Sequence, residues 1–387
     1  MFARHMKLNK PKNYSESLIS QIEQRVISTR PAGEATPDNI IVIMNESFSD
    51  LQALHSFETN QPVIPFWESL NTNVIKGDVY VPAFGGGTAK SEYEALTGNS
   101  SHFLPPGNVA YETVVKKEEN GLCSVLKEQG FHTIAIHPYE GKNWNRDDVY
   151  SFMGFDKFIT IDDFNGYDKL RNYISDLGNY QKIIECYESK SKDEKLFIFN
   201  VTMQNHGGYE ITNGDIPLEI EAVGKDNDIL NRYLSLVRKS DDALEYLLTY
   251  FSQQTENTMI LFFGDHLPAL PISTYEDFSE TAYSELNSSM KLYRTPFIIW
   301  TNYVTELPQI RQISSNYLSS LLLYSANLNM TTYQKFLLML SSQLPVIGPL
   351  GCYDSKGNYY PYDQFPEELQ TLLYEYECMQ YHNIVRR

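Results

Sequence analysis

Apolar residues gather into five strand-length runs: "IIVIM" at 40–44, "HTIAI" at 132–136, "KLFIFNVTM" at 195–203, "MILFF" at 259–263 and "PFIIW" at 296–300. They are rich in Ile, Val and Phe and lack alternation, as expected of strands covered on both faces. Between them the spacing becomes helical. "SEYEALTG" opens on Ser91 and closes on Gly98, "ENGLCSVLKEQG" closes on Gly130, and residues 226–254 carry apolar positions at helical intervals. Helices alternating with buried strands predict an α/β fold with a mostly parallel central sheet flanked by helices.

The pattern changes near residue 340. "LPVIGPLGCYDSKGNYYPYDQF" is full of turn signals and aromatic rings, and a Tyr-rich helical stretch, "EELQTLLYEYECMQYHNIV", follows. This reads as a small C-terminal subdomain or lid over 340–387, behind a core over 38–339. Residues 1–37 open polar, basic and without periodicity, and read as a linker or tether; "MFARHM" has the look of a cloning scar. No run approaches the 18 or so apolar residues that cross a bilayer, and no signal-peptide pattern opens the chain.

Charge narrows the partners. A net charge of −18 over 387 residues argues against nucleic acid, whose phosphates need a clustered basic face. An acidic protein that handles a phosphate must build a local positive site. The four cysteines, Cys123, Cys186, Cys352 and Cys378, match no zinc spacing. They read as buried thiols, with a Cys352–Cys378 pair the alternative.

Four of the five runs end in groups that bind metal, bind anions or move protons. The first leads to Asn45 and Glu46. The second leads to His137, then Tyr139, Trp144 and Arg146. The third leads to Gln204, Asn205 and His206, and the fourth to Gly264, Asp265 and His266. Ligands of open α/β sheets sit beyond the carboxyl ends of the strands, so parallel strands would bring these groups into one crevice. Glu46, Asp265 and His266 supply two oxygen ligands and one nitrogen, a set suited to Mn²⁺, Mg²⁺ or Zn²⁺. Gly264 would let the backbone turn so that both following side chains face one ion.

The stretch "FGGGTAKSEYEALTG" at 84–98 places three glycines before Thr88 and a helix after it. It is not a Walker A loop, yet a turn feeding a helix N-terminus offers N–H groups to an anion. Thr88 is either a nucleophile activated by a metal or a helix-capping hydroxyl. Arg146 would grip a phosphate or pair with Asp147 or Asp148. Trp144 would wall the pocket or pack in the core. His206 would carry a proton or hold phosphate. His137 would line the site or be a satisfied buried histidine. Lys90 would touch the phosphate or stay solvated.

These residues together resemble the extracellular catalytic domain of the lipoteichoic-acid-synthase-like phosphoglycerol transferases, in the alkaline phosphatase and sulfatase superfamily. The motifs are "NIIVIMNESFSDL", "GGGTAKSEYEALTG", "NWNRDDVYSFMGFDKFI", "FNVTMQNHGGY", "FFGDHLP" and "TPFIIWTN", in the family's order across most of 38–302. The resemblance implies one divalent metal, usually Mn²⁺, on Glu46, Thr88, Asp265 and His266. It implies Thr88 as the nucleophile and Trp144, Arg146 and His206 around the glycerol phosphate; Asn205, His137 and Lys90 are further candidate binding groups from their positions. It also implies membrane-spanning helices before this domain and an active site on the outer face of the bacterial membrane.

"GGGTAKSEYE", "HPYEGKNWNR" and "QNHGGY" look more like the branch that adds glycerol phosphate to streptococcal wall polysaccharide than like polymer synthases. The implied reaction moves phosphoglycerol from phosphatidylglycerol, through a phosphoglycerol-threonine, to a sugar hydroxyl. Its rivals are a polymerase of the lipoteichoic acid type, a phosphoethanolamine transferase, a metal-dependent phosphodiesterase and a non-catalytic module that binds wall glycan. Sulfatases proper need Cys or Ser in a C/S-x-P-x-R context, and Cys123 sits instead in "GLCSVL".

Overall fold

The computed structural model describes residues 8–26, 35–55, 57–105, 107–210, 216, 218–279 and 282–386. Its centre is an eight-stranded sheet. In chain order the strands are β1 (Asn39–Asn45), β2 (Val74–Tyr80), β3 (Phe131–Ile136) and β4 (Lys157–Ile159). After a two-stranded ribbon of β5 (Lys169–Leu170) and β6 (Tyr173–Ile174) come β7 (Lys195–Val201), β8 (Thr258–Gly264), β9 (Arg294–Thr301) and β10 (Gln312–Ser314). The order across the sheet is β10-β2-β9-β8-β1-β7-β3-β4. β1 pairs in parallel with both β7 and β8, and β3 with β7 and β4. β9 runs antiparallel to both of its neighbours.

Burial explains why the strands lack alternation. Ile40, Val42 and Met44 of β1 enter one apolar cluster, while Ile41 and Ile43 enter another on the opposite face. The first cluster takes residues from α2 (Thr88–Thr97), α6 (Leu318–Ser325), α7 (Thr332–Ser341) and α8 (Glu367–Val385). The second takes residues from α4 (Asp176–Ser189) and α5 (Asp228–Ser252). A strand buried on both sides needs apolar residues at every position.

The two chain ends pack together on the core. Within the expected tether, α1 (Glu16–Arg25) is a helix capped by Ser15, and its Ile19 and Ile22 are buried in the first cluster. Tyr14 bonds His382 at 2.7 Å and Arg25 pairs with Glu375 at 2.6 Å, both on α8. The helix is legible only once its partner is known, because Leu18, Ile19 and Ile22 are just three apolar positions in ten. Residues 1–7, with the suspected scar, and 27–34 lie outside the described residues. At the other end β11 (Val346–Ile347), β12 (Gly351–Tyr353) and β13 (Tyr359–Pro361) form a small antiparallel sheet. α8 instead joins the main core through Tyr376, Cys378 and Met379. All four cysteines are buried free thiols. No helix among the described residues is long and apolar enough to cross a membrane.

Candidate active site

The four strands whose ends carry reactive groups stand side by side as β8-β1-β7-β3, all parallel. Their carboxyl ends therefore deliver Asp265, Glu46, His206 and His137 to one edge. The fifth run, "PFIIW", lies in β9, which is reversed, so its start faces that edge. There the Thr295 hydroxyl donates to the Gly264 carbonyl at 2.7 Å. Gly264 is still in the strand, and a Cβ there would collide with the Phe48 carbonyl. Close approach of the two backbones, and not a turn, is what requires glycine here.

Glu46, Asp265 and His266 are buried, and each offers a ligand atom within 4.8 Å of the others. His266 Nε2 lies 3.2 Å from Asp265 Oδ2 and 3.6 Å from Glu46 Oε1. Its Nδ1 lies 2.8 Å from the Leu267 carbonyl. That contact requires Nδ1–H, which leaves a lone pair on Nε2 for a cation. Ser47 adopts a left-handed backbone (φ 52), and its N–H donates to Asp265 Oδ1 at 2.7 Å. Its hydroxyl donates to Glu46 Oε1 at 3.0 Å.

Among the described residues, nothing hydrogen-bonds the buried Asp265 Oδ2. Burial first, and the nearby Glu46 charge second, push the Asp265 carboxyl up to about 7. Burial pulls His266 down, but the Asp265 and Glu46 charges outweigh it and hold its pKa above the ordinary value. Two crowded carboxylates, one with an orphaned oxygen, beside a histidine that presents Nε2, fit a divalent cation.

Thr88 is the first residue of α2 and is 9% exposed, beside the Asp265 carboxyl. The helix cap is Gly87, left-handed at φ 91, and no side chain caps the first turn. The capping role suggested for the Thr88 hydroxyl is therefore not the one it plays. Its neighbour Ser91 donates to the Asp265 carbonyl at 2.7 Å, tying helix to metal trio.

A cavity of about 180 Å³ is lined by Glu46, Thr88, His137, Trp144, Arg146 and His206, together with Tyr139, Asn143 and Met203. Arg146 is almost fully buried. Its partner is neither Asp147 nor Asp148 but Glu92, whose Oε1 and Oε2 lie 3.0 and 3.2 Å from Nε. Tyr150 also donates to Glu92, at 2.6 Å. Arg146 Nη1 lies 3.2 Å from His137 Nε2, and His137 Nδ1 lies 3.0 Å from the Val201 carbonyl. One tautomer satisfies both contacts: Nδ1–H donates, and Nε2 accepts from the guanidinium. Burial, then the Arg146 charge, hold the His137 pKa well below its usual value, so the ring is neutral.

Trp144 and Asn145 both adopt left-handed backbone, at φ 56 and 58. A tryptophan in that region is strained, and strain of this kind gathers at functional sites. His206 is exposed, with Nδ1 3.2 Å from the Tyr173 hydroxyl. Burial and the charges of His266 and Arg171 depress its pKa.

Asp265 and His266 do not line the cavity, and two of the expected substrate-binding residues also stand outside it. Lys90 lies about 200° around α2 from Thr88 at 100° per residue, and it lines a different cleft. Asn205 is fully buried, donating to Ser240 Oγ at 2.8 Å and to Asn45 Oδ1 at 3.3 Å, beneath the site. Two contributors went unread. Glu92 had a signal, since four residues after Thr88 it shares that helix face. Arg171 had none; it donates to the carbonyls of His206 and Gly207 at 2.9 Å each and so fixes the histidine's loop.

A family model described as Sulfatase matches residues 38–332. The chain belongs to the sulfatase family. It is 31% identical over 342 residues to a putative cyclic beta-1,2-glucan modification protein of Rhizobium meliloti, covering 85% of this chain and 52% of that one. It is 27% identical over 271 residues to the lipoteichoic acid synthase of Staphylococcus saprophyticus, covering 66% of this chain and 41% of that one. The chain thus spans about half the length, or less, of these curated relatives. Among solved structures it superposes on the Streptococcus pyogenes phosphoglycerol transferase GacH in complex with sn-glycerol-1-phosphate. There the TM-score is 0.80 and the identity 24%, over 97% of this chain and 95% of that one. The lipoteichoic acid synthase LtaP of Listeria monocytogenes gives a TM-score of 0.69 at 16% identity, over 94% and 96%. The fold is that of the alkaline phosphatase superfamily.

Proposed function

We propose that this chain is the catalytic domain of a metal-dependent phosphoglycerol transferase, moving glycerol phosphate from phosphatidylglycerol to a sugar hydroxyl of a cell-surface glycan. The observation that carries this reading is one cavity lined by Thr88, by Glu46 of the Glu46–Asp265–His266 trio and by Arg146. Relatives named as a glucan modification protein and a lipoteichoic acid synthase, and a fold neighbour named as a phosphoglycerol transferase, support a phosphoglycerol group passed to a glycan. Glu46, Asp265, His266 and Thr88 would hold one divalent ion, Mn²⁺ before Mg²⁺ or Zn²⁺. Such an ion favours the deprotonated form of a hydroxyl and offsets charge on phosphoryl oxygens.

Thr88 Oγ forms a bond to phosphorus as the bond from phosphorus to the diacylglycerol oxygen breaks. The Thr88 proton passes to His206 Nε2 and on to that leaving oxygen, giving diacylglycerol and phosphoglycerol-Thr88. His206 suits this shuttle because its depressed pKa keeps it neutral and Tyr173 orients its other nitrogen. A sugar hydroxyl then attacks phosphorus, its proton returning through His206 to Thr88 Oγ. Arg146, fixed by Glu92, binds the non-bridging oxygens throughout. Catalysis would take place on the outer face of the membrane, anchored by a segment outside this chain.

Mass spectrometry of the Thr88 peptide after incubation with phosphatidylglycerol and Mn²⁺ tests the reading. A glycerol-phosphate adduct on Thr88, lost in Thr88→Ala together with turnover, is the expected result. Normal turnover by Thr88→Ala would overturn it.

A further inference from the structure

α2 has two working faces. Thr88 and Glu92 point to the catalytic cavity, while Lys90 and Glu94, about 200° away from them in turn, line a second cleft of about 200 Å³. The rest of that cleft comes from Ser100, His102 and Asn108 after the helix and from Gly348 of the C-terminal unit. Between the clefts runs the Gly85–Gly87 segment that leads into Thr88. All three glycines have positive φ (66, 138 and 91), and a Cβ on Gly86 would meet nothing within 4 Å. A Cβ on Gly87 would lie 3.9 Å from Lys90 Cδ, so Lys90 borders this bare ridge. The side chains bordering the ridge are Ala269 beside Gly85 and Ala83 and Lys90 beside Gly87, so its flanks are mostly small.

Resting on the reading of the site given above, we propose that the second cleft is the acceptor subsite and takes a neutral pyranose of the glycan, with the neighbouring sugar lying over the glycine ridge so that its hydroxyl reaches Thr88. The chemistry of the walls selects a neutral sugar. His102 stacks on Tyr362 with ring centroids 4.1 Å apart at 19°, and the residue keeps some exposed surface. That leaves a flat ring, backed by an aromatic, to meet the C–H face of a sugar. Burial lowers the His102 pKa to about 4, so the plate is uncharged at neutral pH. Lys90 is the one cation among the lining residues, and Glu94 stands on the same face. The catalytic cavity, by contrast, sets the Arg146 guanidinium beside Glu46 of the metal-binding trio. The subsite also gives the C-terminal unit a task, since Gly348 and the Tyr362 backing both belong to it.

The experiment uses the full chain with Mn²⁺ and β-1,2-linked gluco-oligosaccharides as probe. Saturation-transfer NMR on the Thr88→Ala protein reads glycan binding without turnover. Binding that weakens at least tenfold in both His102→Ala and Lys90→Met, each checked by circular dichroism for an intact fold, is expected. No binding of the probe to the Thr88→Ala protein, or binding that both substitutions leave unchanged, would overturn the proposal. So would displacement of the probe by millimolar inorganic phosphate, which would mark an anion site. Failure to form the Thr88 adduct, with this binding intact, would count against the donor reading and leave the glycan subsite standing.

Discussion

Arg146 and Glu92 form a buried ion pair across the wall of the catalytic cavity, 54 positions apart in sequence, with Nε at 3.0 and 3.2 Å from the two carboxylate oxygens. Glu92 shares a helix face with Thr88, so one short helix sets both the hydroxyl and the guanidinium that faces it. Burial alone would lower the arginine's pKa; the Glu92 charge reverses that and raises it.

Removing one member of such a pair leaves an uncompensated buried charge. Glu92→Ala is therefore expected to cost about 3–5 kcal/mol in urea unfolding. In the double variant with Arg146→Ala the loss should be smaller than the sum of the single losses. Additive losses would mean that the pair is not coupled.

The metal trio makes a prediction about the apo protein. Glu46 and Asp265 repel each other there, so Glu46→Gln is expected to raise the thermal midpoint in EDTA. The same substitution should abolish the stabilisation by Mn²⁺, which for the parent amounts to about 2.7 kcal/mol at a hundred times Kd. A midpoint in EDTA that falls, with Mn²⁺ stabilisation intact, would show that these carboxylates hold no ion.

Glu94 predicts a pH dependence of stability away from the metal. Burial raises its pKa from 4.5 to about 7, despite bonds from Ser315, Ser101 and Ser100. Between those values the folded protein keeps a proton that the unfolded chain has released, so stability declines as pH rises across this window. The contribution of Glu94 is roughly 3 kcal/mol. Asp176 and Asp241, each raised to about 6 mainly by burial, act in the same direction. Denaturant unfolding of Glu94→Gln from pH 4.5 to 7 should show a flatter slope than the parent; an unchanged slope would refute the assignment.

The thiols should be inert. Burial pushes Cys123 and Cys352 up to about 12 and Cys186 up to about 11. Ellman's reagent should label none of the four in the native protein and all four in guanidinium, with or without reductant. Rapid native labelling, or only two thiols after denaturation without reductant, would contradict this.

Much of the site was readable because each strand sends its own polar terminus to a predictable place. "IIVIM", "HTIAI", "KLFIFNVTM" and "MILFF" declare strands buried on both faces. If those strands are parallel, the residues after them must share an edge. Position and chemistry therefore placed Glu46, His137, His206, Asp265 and His266 as candidates at one edge, while Thr88 was a candidate nucleophile through the family resemblance.

What local sequence could not determine was which side chains share a face, and which partner a buried charge chooses. Lys90 sits two residues from Thr88, yet helical rotation sends it to another cleft. Asn205 precedes a cavity residue, yet it points into the layer of Asn45 and Ser240 that supports the site. Arg146 has two aspartates beside it in the chain and pairs with neither, because only Glu92 comes within reach once α2 packs against the sheet. Sequence by itself determined the strands, their buried faces and the chemistry waiting at their ends. The tertiary packing alone decided the pairings, since a buried charge is satisfied by what lies near it in space.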